Sequence, residues 1–421
     1  MKFYLPDWED RVDPNFNFIK DTFSKGHVKN PYINDYYAHQ IYKVEQPYDG
    51  ILTSLSNFET KTKLIVTNGK YLIRNKASIK EYLKIQKYSR IKTMGDCGAY
   101  SYITHHDPPE FYSVDHVAEI YSKLKFDFGV SPDHIAIKYL QVRENGKRVY
   151  RELSDKERER RRLVTLRNSE AFINLVREKK YKFVPIGVAQ GYNEETYENS
   201  VKTLISQGYN YIALGGLVQY NDADLLKILE KVSPYLDGRN LHLFGVLRPN
   251  KLKEFEKLGV TSFDSASYLR KAWLRSGQNY LSPDGSWYSA IRVPYSNNKN
   301  LLERANQLNI LQTKLEELEN NAYDALLRYQ ARNIKASEAL KSVMEYDRLL
   351  IRSSKGEENL EKRYMETLEH RPWESCQCDI CKKNGIDIVI FRGSNRNKRR
   401  GFHNTWVFRH IISQTKRRKM S

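Results

Sequence analysis

The sequence predicts an α/β fold: a (β/α)8 TIM barrel with a helical insertion and a C-terminal structural zinc-binding subdomain. Three observations carry this reading. Short β-rich apolar runs alternate with helical patterns, a rhythm that means a parallel sheet, and seven or eight units point to closure. A long helical stretch breaks the rhythm after residue 300. Beyond it, three of the chain's four cysteines crowd into six positions.

Strands are expected at GILTSL (50–55), RIKTMG (90–95), KFDFGV (125–130), KFVPIGV (182–188), YIALGG (211–216), LHLFGVL (241–247) and VTSFD (260–264). Helical patterns such as ETYENSVKTLISQG and NDADLLKILEKVSPYL separate them. The eighth strand has two candidates, AIKYLQV (136–142) and GIDIVIF (385–391). SDKERERRRL opens with a Ser-x-x-Glu capping box and continues as an arginine-dense face, either a solvated helix surface or a phosphate-contacting edge. Leu301, Leu308, Leu311, Leu315, Leu318, Ala322 and Ala325 keep a coiled-coil-like spacing, as in a helical hairpin that packs on itself or on a partner. The expected division is an N-terminal extension (1–45), the main part of the barrel (46–280), a helical insertion (281–365), a zinc-binding subdomain (366–412) and a disordered basic tail (413–421).

The formal net charge of +19 over 421 residues calls for a polyanionic partner, most simply nucleic acid, with a merely soluble basic surface as the alternative. Thirty tyrosines are available to stack on bases or to sit half-buried in a barrel. No apolar run approaches a membrane span. The opening MKFYLPDWEDRVDP places acidic residues and a proline where a secretory signal needs an apolar stretch. A reduced, cytoplasmic protein is therefore expected, and a disulfide framework is not. In that setting Cys376, Cys378 and Cys381, spaced C-x-C-x-x-C, read as metal thiolates. His403 and His410 are both available as the fourth ligand. Three thiolates and an imidazole make a closed tetrahedral zinc site, structural because no position stays open.

Barrel enzymes keep reactive residues just beyond the C-terminal ends of their strands. Those positions hold Asp96, Asp133 and Asp264, Gln190 in a Gly-flanked turn, the pair Gly215–Gly216, and the aromatics Tyr100 and Phe244. Carboxylates, an amide and exposed backbone N–H groups can read the edge of a purine-like base, and aromatic rings can hold its faces. A strand-end Asp is as often a helix N-cap and a Gly-Gly as often a turn, but the set recurs strand after strand.

These residues resemble the tRNA-guanine transglycosylase superfamily, which exchanges guanine for a 7-deazaguanine on a (β/α)8 barrel with a Cys3His zinc site. The resemblance covers roughly residues 45–280 and 370–410. The family's Asp-Ser-Gly-Gly-aromatic-Gln motif is matched by Asp96, Cys97, Gly98, Ala99 and Tyr100, with Ser101 in place of the Gln. Its Asp-x5-Asp-Glu segment is matched by DFGVSPDH, which gives Asp133. GVAQG and GGL carry Gln190 and the Gly216–Leu217 backbone into the base-edge role, beside Gly215. FDSASYLR gives Asp264 as nucleophile and Arg270 as a backbone contact, and Phe244 falls where the family places the second wall of the base sandwich. The family's zinc motif ends in His-Asn, which makes His403 the ligand and not His410. The opening segment and FRGSNRNKRRGFHN are similar to the DNA-modifying branch, which inserts 7-deazaguanines of the preQ0 type into DNA.

The resemblance implies a DNA-guanine transglycosylase in which Asp264 forms a covalent glycosyl ester and Asp96 is general acid/base. Cys97, a buried thiol beside the chemistry, is expected to pack rather than to attack. Its implied partners are nucleic acid, DNA ahead of tRNA, and a free 7-deazaguanine base, with a helper protein or a homodimer also open and no membrane. Two alternatives remain: the same chemistry on tRNA, and a catalytically silent accessory subunit that binds nucleic acid.

Overall fold

The computed structural model describes the chain except residues 29, 31, 60–63, 68–69, 145–146, 275–276, 351–353 and 418–421. It divides into two compact units, residues 1–8 with 48–266 and residues 9–47 with 267–421.

The first unit is a closed barrel of eight parallel strands in chain order. They are β1 (Lys2–Pro6), β2 (Gly50–Ser54), β3 (Lys92–Asp96), β4 (Phe128–Val130), β5 (Val184–Ala189), β6 (Tyr211–Leu214), β7 (Asn240–Leu243) and β8 (Val260–Asp264). All seven expected strands are present. The eighth is neither candidate: β1 closes the barrel between β8 and β2, pairing Tyr4 with Asp264 on one side and Gly50 on the other. Residues 2–6 therefore belong to the barrel and not to an extension. Phe3, Tyr4 and Leu5 are all buried, a short three-residue signal flanked by charge and stopped by Pro6. The AIKYLQV stretch instead enters a surface hairpin, Tyr139–Glu144 with Lys147–Glu152. GIDIVIF forms a 3-10 turn and a two-residue strand in the second unit.

Inside the barrel Tyr4, Leu52, Met94, Val130, Ile186, Val188, Tyr211 and Ala213 pack together, with Phe128 and Phe244 against them. Alternate residues of each strand point inward, so one face of every strand fills the interior. Helices start close behind the strands because the sequence supplies caps there. Asn193 accepts from Thr196 N–H and Asn221 from Asp224 N–H, starting Glu194–Ser206 and Asp222–Val232. Ser154 caps Asp155–Glu178 in the same way.

That helix carries the arginine-dense face, and its charges are engaged internally. Arg158 pairs with Asp155, Arg160 with Glu157 and Asp107, and Arg162 with Glu159. Arg161 is buried and donates to the carbonyls of Ile103 (2.9 Å) and Ile135 (3.1 Å), fastening the loop after β3 to the loop after β4.

In the second unit, Gln312–Gln330 and Ala336–Asp347 form a packed helical hairpin. The expected continuous seam is interrupted: the helix Lys299–Gln307 ends before Asn309, which takes φ of 53°, and Leu308 and Leu311 are exposed. Leu301, Leu315, Ala322 and Ala325 are buried. The C-terminal helix runs from Gly393 to Arg417, so 413–417 are helical rather than disordered, and the rest of the expected tail lies outside the described residues. Arginines at and before this helix hold the segment 9–47. Arg392 bonds Asp21 at 2.5 Å, Arg396 donates to the Phe18 carbonyl at 2.7 Å, and Arg399 donates to the Asp13 carbonyl at 2.6 Å. These guanidinium groups are buried, so FRGSNRNKRRGF is an internal brace and not a basic surface. Buried pairs of this kind specify an arrangement more than they add net stability.

Candidate active site and metal centre

Six successive strands deliver the candidate residues to one rim of the barrel. Asp96 ends β3, Asp133 follows β4, Gln190 follows β5, Gly215 and Gly216 follow β6, Phe244 follows β7 and Asp264 ends β8. This is the C-terminal rim, where parallel strands present their loops.

Asp133 is held through both carboxylate oxygens. Its Oδ2 accepts from Gln190 Nε2 at 2.6 Å and its Oδ1 from the Cys97 thiol at 3.2 Å. Burial pushes its pKa up, while the Cys97 and Gln190 hydrogen bonds pull it down. Cys97 is fully buried, and burial pushes its own pKa well up, in keeping with a neutral thiol that donates to Asp133. Tyr102 adds a hydrogen bond of 2.7 Å to the Asp133 carbonyl.

Gln190 explains the glycine pair. A Cβ on Gly215 would lie 2.3 Å from Gln190 Nε2, and one on Gly216, which sits at φ of 73°, would lie 2.9 Å from Gln190 Oε1. The Gly215 carbonyl accepts from the buried Tyr197 hydroxyl at 2.7 Å. Gly215→Ala should therefore displace the Gln190 amide from Asp133. Loss of that buried hydrogen bond should cost about 1–3 kcal/mol of stability, read as a lower melting temperature than wild type. Leu217, just beyond, buries its side chain and leaves its backbone beside the pair.

Asp96 is half-buried, and its pKa is pushed up to about 7, by burial first and then by the charge of Asp133. Hydrogen bonds from Ser54 and the Gly98 backbone oppose the shift. A carboxyl poised there can give and take a proton near neutrality. Ser101, which replaces the family's glutamine, donates to the Gly98 carbonyl at 2.8 Å and lies 2.8 Å from the Tyr112 hydroxyl, bracing the turn below Asp96.

Asp264 is buried, and among the described residues its Oδ1 accepts from Gly245 N–H at 2.9 Å and lies 3.2 Å from His242 Nε2. Sequence reasoning passed over His242. Its signal was a lone histidine in the apolar strand LHLFGVL, two residues before Phe244 on the same strand face. Phe244 is half-buried and meets His242 edge-on at 4.8 Å, while Tyr100 is 61% exposed on the turn after Asp96. Arg270 is exposed on the short helix Ser267–Lys271 of the second unit.

The second unit gathers Cys376, Cys378, Cys381 and His403, all buried, with donor atoms within 4.8 Å of one another. His403 Nδ1 lies 3.3–3.7 Å from the three sulfurs. Its Nε2 is 2.7 Å from the Leu281 carbonyl, which can only accept, so the proton sits on Nε2 and Nδ1 is left to ligate. Tyr280 stacks on the ring at 4.1 Å. Soft donors in a closed, dry set fit a metal ion. His410 is outside it, paired with Glu45 at 3.2 Å and stacked on Trp406.

Among the described residues no helix is long and apolar enough to cross a membrane. A family model described as queuine tRNA-ribosyltransferase matches residues 74–416. A DNA-guanine transglycosylase of Salmonella montevideo is 35% identical over 427 residues, covering 99% of this chain and 97% of that protein. With a parallel barrel, a rim of carboxylates and a buried Cys3His group already in place, the chain belongs to the queuine tRNA-ribosyltransferase family of pentosyltransferases.

Proposed function

We propose that the protein exchanges guanine in DNA for a 7-deazaguanine of the preQ0 type through a covalent aspartyl–glycosyl intermediate. The observation that carries DNA over tRNA is the full-length similarity to a protein that bears that activity in its name. In this reading Asp264 attacks C1′ of a flipped-out deoxyguanosine and Asp96 protonates the departing guanine. The incoming base gives a proton back to Asp96 and takes C1′ from Asp264. Two displacements leave the configuration retained. Asp133, Gln190, Gly215, Gly216 and Leu217 would read the base edge, Tyr100 and Phe244 would cover its faces, and Arg270 would contact the backbone. Retention of both Asp96 and Asp264 speaks against a silent accessory role.

The test offers labelled guanine to plasmid DNA and to tRNA separately, with digestion to nucleosides and mass spectrometry for deazapurines. Incorporation into DNA alone is expected; incorporation into tRNA alone would overturn the DNA reading. Asp133→Asn should leave the adduct intact and relax base selection by about 1–3 kcal/mol, the worth of a buried hydrogen bond. Competition between guanine and adenine as free bases would measure it.

Cys376, Cys378, Cys381 and His403 would hold zinc, which with four protein ligands ties chain segments together and supplies no catalytic water. The purified protein should contain one zinc per chain by elemental analysis. His403→Ala should lose it and lower the melting temperature, whereas His410→Ala should keep it. The reverse pattern would remove His403 from the site.

A further inference from the structure

We propose that His242, held by Ser262 and Tyr211, is a positioning residue that aims the Asp264 carboxylate at the sugar carbon. The inference rests on the reading of Asp264 as nucleophile. His242, Ser262 and Asp264 share a barrel face, because His242 pairs with Ser262 in the β7–β8 ladder and Asp264 lies two residues further on. Tyr211 reaches the same interior from β6. The four make one chain of contacts: Tyr211 hydroxyl to Ser262 Oγ at 2.6 Å, Ser262 Oγ to His242 Nδ1 at 2.8 Å, and His242 Nε2 to Asp264 Oδ1 at 3.2 Å. All four residues are buried, His242 completely.

The direction of the chain follows from its ends. An attacking carboxylate is ionised and can only accept, so His242 Nε2 carries the proton and donates. Nδ1 then accepts from the Ser262 hydroxyl, which in turn accepts from Tyr211. Burial pushes the Tyr211 phenol up to about 12, which keeps it a donor. Tyr4 and Phe244 pack edge-on against the imidazole at 5.9 and 4.8 Å. Among the described residues both donors to Asp264, His242 and Gly245, go to Oδ1. The carboxylate is thereby held by one oxygen while Oδ2 faces the reacting carbon. No proton has to move along the chain. Its work is orientation, which is where a misplacement of an ångström costs about 10²-fold in rate.

The experiment measures guanine–guanine exchange and adduct yield for His242→Leu, His242→Gln, Ser262→Ala and Asp264→Asn, on whichever nucleic acid the wild type accepts. His242→Leu should lower kcat by about 10–100-fold with KM for the nucleic acid little changed. His242→Gln, whose amide can donate from the Nε2 position, should recover most of that loss. Ser262→Ala, which frees the tautomer but keeps the ring, should lose about three- to tenfold. Wild-type kcat in both His242→Leu and Ser262→Ala beside an inactive Asp264→Asn would overturn the proposal and leave the nucleophile standing. So would losses that appear equally in KM and are not rescued by Gln, since these mark a structural role. Activity in Asp264→Asn would overturn the nucleophile itself. Should His242→Leu fail to fold, Ser262→Ala decides: unchanged kcat overturns the proposal, and a loss in kcat alone upholds it.

Discussion

Asp264→Asn should abolish both base exchange and the covalent protein–nucleic acid adduct. The substitution keeps size and leaves Oδ1 able to accept from Gly245 N–H at the 2.9 Å position, so the rim should hold its shape. What disappears is the anion. An amide oxygen is a poor nucleophile toward a glycosidic carbon, and no neighbouring group can replace it: Asp133 is already occupied by Gln190 and Cys97, and Asp96 is needed for the proton. A loss on the order of 10⁴-fold or more is expected, the scale seen when a covalent nucleophile is removed. Denaturing gels of protein mixed with labelled nucleic acid would show the adduct for wild type and none for the variant. Exchange at the wild-type rate would undo the whole assignment of the site.

Asp96→Asn should slow exchange by about 10²–10⁴-fold, the usual worth of a general acid/base. Its pH behaviour separates it from the other carboxylates. With Asp96 titrating at about 7, the acid form that protonates the departing guanine is lost as pH rises through that value. Single-turnover adduct formation by the wild type should therefore fall above pH 7, and the Asn variant should show no such limb. On stability the substitution should act with the opposite sign. A carboxyl whose folded-state pKa is raised costs the folded state nothing at low pH, where both states are protonated; the penalty builds between the ordinary carboxylate range and about 7, where the unfolded chain is already ionised, and is complete above it. Above pH 7 the penalty is roughly 2–4 kcal/mol, and Asn removes it. The variant should melt higher than wild type at pH 8 and lose that advantage toward pH 4. An Asn variant that melts lower at pH 8 would mean that Asp96 is not strained by its surroundings.

The barrel was largely legible because its interior strands are continuous apolar runs, which a parallel sheet buried on both faces requires. The closing strand was not. Phe3, Tyr4 and Leu5 are too few to show a period, and pairing with β8 and β2 rather than local propensity makes them a strand. The rim residues could be found by reading only strand ends, since Asp96, Gln190 and Asp264 sit within a residue of theirs. Cys97 and His242 were harder. A thiol donating to Asp133 and an imidazole donating to Asp264 are cross-strand contacts, and no spacing along one segment displays them. The helical seam was overread, because a leucine stripe says nothing of a helix break at Asn309.

The segment 9–47 and the helix that holds it are far apart in order of synthesis. Asp21 meets Arg392 371 positions later. At ordinary translation speeds the early segment waits roughly 20–70 s for its partner. All eight barrel strands have emerged before that interval ends, since β1 precedes the segment and β8 ends at Asp264. The barrel strands are thus complete before the helix that holds the segment exists, since that helix begins at Gly393. Phe16, Phe18 and Phe23, which cluster in the finished molecule, spend that time without the arginines that later cover Phe18. Production of the protein should then be limited less by the barrel than by how long this aromatic strip stays uncovered, and slower translation should lengthen the exposure.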